Sequence, residues 1–70
     1  MTQPVRRFRF LLDLWVEPRE VESLPVVVRG RVRDLETDEE KYVGSFAEVE
    51  QVLEARLDDS GIAPRRWERP

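Results

Sequence analysis

From Arg6 onward the chain alternates. Phe8, Phe10, Leu12, Leu14 and Val16 share one parity, and all are apolar. Arg7, Arg9, Leu11, Asp13, Trp15 and Glu17 share the other, which is mixed. A period of two marks a strand with one face on a core and the other on water or a partner. A connector with a proline at each end, Pro18 to Pro25, leads to a second alternation. Here Val26, Val28, Gly30 and Val32 stand against Val27, Arg29, Arg31 and Arg33. If the two strands pair antiparallel, two registers match core face to core face. One sets Asp13 opposite Arg29 and Trp15 opposite Val27. The other sets Asp13 opposite Arg31 and Trp15 opposite Arg29. Both give sensible cross-strand pairs.

Leu35 to Glu40 reads as a turn with Thr37-Asp38 at its tip, and Lys41 to Gly44 as a short third strand. Ser45-Phe46-Ala47-Glu48 then matches the capping box S-x-x-E. Its serine hydroxyl accepts from the Glu48 amide, and the Glu48 carboxylate is expected to reach back to the Ser45 amide. Phe46, Val49, Val52, Leu53 and Leu57 follow at helical spacing. The expected helix runs from about Ser45 to Leu57. Asp58 and Asp59 oppose the helix dipole, and Gly61 suits a left-handed terminator. Ile62 to Pro70 has two prolines and no periodicity, yet carries the second tryptophan, Trp67.

The expected fold is therefore α+β: a three-stranded antiparallel meander with one C-terminal helix packed on one face. That face bears Phe8, Phe10, Leu12, Leu14, Val28 and Val32. Residues 1–5 form a flexible start, residues 6–60 a single β-β-β-α domain, and residues 61–70 an extended tail.

The order Phe10-x-x-x-Leu14-Trp15, Arg29-Gly30-x-Val32, Tyr42, then Ser45-Phe46-x-Glu48 resembles a group of small uncharacterised bacterial β-β-β-α domains. The pattern of that group is F-x-x-x-L-W, W-R-G-x-V, S-G-E-x-x-Y-F, then D-L-x-E-L. The likeness covers about two-thirds of the chain, and positions 28 to 46 align without gaps. Val28 stands where the group carries Trp, and Asp38 where it carries Gly. The resemblance implies the fold and no activity.

Composition narrows the chemistry. The 70 residues include no Cys and no His. Disulfides, thiolate zinc and Cys nucleophiles are excluded, along with the commonest general base. No phosphate-binding Gly-rich loop and no S-x-x-K is present. A core of one helix on three strands leaves little room for a pocket. The expectation is no enzyme, no cofactor and no metal. The acidic run Asp34, Glu36, Asp38, Glu39, Glu40 imitates a calcium loop, but its sixth and twelfth positions are Glu39 and Ser45 rather than Gly and Glu. No stretch is long and apolar enough to span a membrane. The absence of Cys fits the cytoplasm.

The net charge of −3 is unevenly spread. Residues 36–60 carry −7, flanked by +2 on each side. An acidic middle argues against nonspecific nucleic-acid binding by the whole chain. It leaves one basic face, the outward parity with Arg7, Arg9, Arg29, Arg31 and Arg33. There Arg and Trp15 could read a nucleic acid. Alternatively the Arg pair with Asp13, Glu17 and the helix acids while shielding Trp15. One helix covers one face of a three-stranded sheet, so Leu11, Trp15 and Val27 have no cover within the chain. The favoured expectation is a non-catalytic accessory or protein-interaction domain, with a protein partner or as a homodimer. Its face is Arg9, Leu11, Trp15, Val27, Arg29, Arg31 and Arg33, with Trp67 as a candidate tail anchor. The alternative is a small nucleic-acid-binding protein using the same arginines.

Overall fold

The computed structural model describes residues 4–70. Three strands, β1 (Phe10–Val16), β2 (Val28–Asp34) and β3 (Glu40–Val43), precede one helix, α1 (Phe46–Asp59). They form one antiparallel sheet in the order β1-β2-β3, so the expected α+β meander is the observed fold. The expected start at residues 1–5 falls partly outside the described residues.

The β1–β2 register is the second of the two expected: Asp13 faces Arg31, Trp15 faces Arg29 and Leu14 faces Gly30. Between β2 and β3, Gly30 faces Val43 and Arg31 faces Tyr42. Asp38 occupies the left-handed region, φ 66°, in the β2–β3 turn. The position thus keeps a backbone that glycine would favour.

The helix is capped at both ends. Ser45 is extended, and its Oγ accepts from the Glu48 amide at 3.1 Å. The Glu48 carboxylate accepts from the Gly44 amide instead of the expected Ser45 amide. At the other end the Ile62 amide donates to the Leu57 carbonyl and the Gly61 amide to the Asp58 carbonyl, both at 3.0 Å. With Gly61 at φ 77°, this is a Schellman closure. The helix therefore continues two residues past the expected Leu57. Arg65 from the tail pairs with Asp58 at 2.6 Å and with Glu54, which offsets the charge that opposed the helix end. The tail thus folds back along α1.

The core differs from expectation. Val32, 2% exposed, and Val43, 8% exposed, are the buried apolar side chains among the described residues. Leu12, Leu14, Val16 and Val28 share the helix-side face but remain exposed, and Phe46 is 74% exposed. The cause is where the helix is pinned. Asp34, buried at the end of β2, accepts from the Arg56 Nε at 2.6 Å. Arg56 also bonds Ser60 and lies 5.2 Å over the Phe8 ring. That clamp holds the C-terminal half of α1 near Phe8, Phe10 and Val32. At the other end an open apolar groove of about 430 Å³ remains, lined chiefly by Leu14, Val16, Val28, Val43, Phe46 and Val49.

Candidate functional site

Alternation and register together build the outward face. In β1 the odd positions Leu11, Asp13 and Trp15 lie on it; in β2, Arg29, Arg31 and Arg33 do. Because Arg31 faces Tyr42 and Arg33 faces Glu40, β3 adds Tyr42 and Glu40 to the same side. Val27 and Glu17 extend the face past the strand ends, where the Glu17 amide donates to the Val27 carbonyl. Arg9 continues it at the other end, where its carbonyl accepts from the Leu35 amide.

The three β2 arginines are each matched by acid. Arg29 pairs with Glu17, Arg31 with Asp13 at 2.7 Å and Glu40 at 3.8 Å, and Arg33 with Asp38 at 3.3 Å. The hydrogen bond that Arg31 donates to Asp13, then the charge of Glu40, hold the Arg31 guanidinium above its already high ordinary value. The acids come from β1 and the β2–β3 hairpin; among the described residues no helix acid reaches these arginines. The expectation of helix acids fails because α1 lies on the opposite face. Arg7 and Arg9, in contrast, make no ion pair among the described residues.

No arginine lies over the Trp15 ring among the described residues. It meets Tyr42 edge to face across β2, with centroids 6.3 Å apart and planes at 84°. Tyr42, 76% exposed, is the member of this face that sequence reading missed. Four residues are too few for β3 to show its phase; the turn before it sets which side Tyr42 takes. Leu11, Trp15, Val27 and Tyr42 are all exposed. Trp67 lies away from this face, beside Phe46, Val49, Leu53 and Leu57 of α1.

The acidic run disperses. Asp34 points to the helix side, Asp38 to Arg33 and Glu40 to Arg31. Among the described residues no group of acids converges as a metal site would require. Burial alone would push the Asp34 carboxyl up. The amides of Glu36 and Thr37 and the Arg56 guanidinium outweigh it and hold the carboxyl below its usual range. Asp34 is thus an ion-paired clamp that also closes the hairpin turn. No helix among the described residues is long and apolar enough to cross a membrane.

No protein family, curated protein or solved structure was found to match the chain.

Proposed function

We propose that the chain is a non-catalytic interaction domain that buries its outward sheet face against another polypeptide. The observation that carries this reading is the exposed Trp15–Tyr42 pair, set among arginines whose charge is already matched within the chain. Aromatic and arginine side chains at the centre of a flat, uncovered face are the composition of a protein-binding hot spot. The same pairing weighs against nucleic acid, because arginines held by carboxylates release fewer counterions from phosphates.

The test is affinity capture by the immobilised chain from extract of its own organism. A protein retained by the wild type and by Trp67→Ala, but lost with Trp15→Ala at unchanged circular dichroism, is the expected result. Equal retention by both variants would place the contact elsewhere. Retention of DNA or RNA at low salt, abolished by Arg29/Arg31/Arg33→Ala, would replace this reading with the nucleic-acid one.

A further inference from the structure

The two edges of the sheet differ. β3 is four residues long with two charges, Glu40 and Lys41, a short and charged edge that resists pairing. β1 is seven residues long, holds one charge, Asp13, and contains no proline. Its register with β2 runs without a bulge. The bonds from the Glu17 amide to Val27 and from the Leu35 amide to Arg9 frame the β1–β2 ladder. In an antiparallel pair such bonded positions recur at every second residue. The odd residues of β1 therefore bond β2. The amides and carbonyls of Phe10, Leu12, Leu14 and Val16 point to the open edge. No bond from them to a turn or loop is present among the described residues.

The surface area exceeds that of a compact chain of this mass. A compact monomer of this mass exposes about 4,600 Å². This chain exposes 6566 Å². Its radius of gyration is 16.2 Å, where a compact chain of this length has about 11 Å. A stable dimer draws roughly 800 Å² from each partner, well within the surplus.

We propose that β1 pairs antiparallel with β1 of a second copy, making one six-stranded sheet with both helices on the same side. The inference rests on the reading that the chain works by association, and names one partner and one surface for it. Charge supports a second copy as the occupant. Arg7 and Arg9 at the start of this segment's outward parity make no ion pair among the described residues, while Asp13 and Glu17 toward its end are acids that each share their charge with one arginine of β2, Arg31 and Arg29. Antiparallel pairing sets each end against its opposite. Three central registers keep apolar residues on the helix side. With Asp13 on the two-fold axis, two carboxylates face each other, which is unfavourable. With Leu14 on the axis, Phe10 faces Pro18, which lacks the amide the ladder needs. With Leu12 on the axis, Arg7 faces Glu17 of the second copy and Arg9 faces its Trp15. On the helix side Phe8 then faces Val16, and Phe10 faces Leu14. The open end of one groove thereby lies beside the aromatic end of the other copy.

The experiment is sedimentation of the full chain from micromolar to millimolar concentration. The expected mass rises to twice 8.3 kDa. A constant monomer overturns the proposal without touching a contact with a different protein. Leu12→Pro removes an amide aimed at the edge and no hydrogen bond to β2, and its half-exposed side chain costs little, so the expected variant is a folded monomer. A dimer surviving in it overturns the edge; if that dimer is lost in Trp15→Ala, the outward face is the seat of association instead. Two further variants do not depend on proline being tolerated. Arg7→Glu acts twice across the axis and weakens the dimer about tenfold. Glu17→Arg also removes the partner of Arg29, so the double variant Arg7→Glu/Glu17→Arg is compared with each single variant, and failure to dimerise more tightly than both counts against the register. The chain has no cysteine of its own, so Leu12→Cys should oxidise to a covalent dimer faster than Leu14→Cys. The reverse order overturns the register.

Discussion

The helix side of the sheet has two ends made of the same alternating residues, and only one of them is closed. At the closed end Phe8, Phe10 and Val32 lie near the Asp34–Arg56 pair, with Ser60 and Arg6 adding bonds. At the open end Leu14, Val16 and Val28 lie as apolar as the others, yet exposed, beside an exposed Phe46. Hydrophobic patterning alone does not distinguish the ends. A polar clamp does, because it decides which half of the sheet a 14-residue helix is held against. The difference separates residues that stabilise the monomer from residues that are free to bury something else.

Breaking the clamp should have the largest effect. Asp34→Ala strands the amides of Glu36 and Thr37 and leaves Arg56 without its closest carboxylate. The expected loss is about 3 kcal/mol, enough to unfold much of so small a domain. Thermal unfolding followed by circular dichroism measures it. Acid should do the same more gently. The Asp34 carboxyl is held below its ordinary range in the folded chain. Its contribution is complete above the unfolded value of about 3.9 and is lost as pH falls through the lower folded value. Unfolding curves from neutral pH down to strong acid should show this loss, and Asp34→Asn should flatten it. An unchanged acid limb in Asp34→Asn would show that other carboxylates set it.

The boundary between the two ends is Gly30. A methyl group there would come within 2.9 Å of Val43 Cγ2 and 3.1 Å of Leu14 Cδ2. Gly30→Val should destabilise by about 1.5 kcal/mol through overpacking. Leu14 can swing toward the open groove, whereas Val43 is buried, so the cost is paid at Val43. Urea unfolding gives the number, and no loss of stability would mean the groove absorbs the new side chain.

Much of this was legible beforehand, and the reason differs by element. β1 announces itself because four apolar residues, with Phe8 just before them, share one parity over a strand with one side toward the helix. The register was narrowed to two, and the Asp13–Arg31 bond belongs to the one adopted. Both helix caps use residues whose chemistry is local, Ser45 and Gly61. What escaped reading depends on contacts distant in sequence. Leu12, Leu14, Val28 and Phe46 were expected in the core because pattern shows which face is apolar, not which half of it a helix will cover. That choice hangs on Asp34 and Arg56, 22 residues apart. The Trp15–Tyr42 contact likewise depends on the phase of β3, which the hairpin turn sets. Asp38 was flagged as a departure from glycine, and its left-handed backbone shows that the turn geometry survives the change.

That turn offers a smaller test at the closed end. Asp38→Gly relieves a positive-φ residue, which favours the folded state, and removes the exposed Arg33 pair, which opposes it slightly. The expected net gain is about 0.5 kcal/mol, read as a higher melting temperature. A loss would mean that the Arg33 pair outweighs the backbone term.

The smallest effect should come from the open end, where the monomer has least to lose. Val16 is 62% exposed at the end of β1. Val16→Ser should change unfolding free energy by less than about 0.5 kcal/mol at micromolar concentration. Val32→Ser, on the same face but buried, should cost several times more, since it removes apolar volume and buries a hydroxyl. The pair of variants thus measures the asymmetry directly. Raising the concentration separates its two explanations. If the open end is surplus apolar surface, Val16→Ser stays neutral at every concentration. If a second copy covers it, the wild type gains stability with concentration by mass action and Val16→Ser gains less. Neutrality of both valines would mean that the closed end is no better packed than the open one, and the comparison itself would fail.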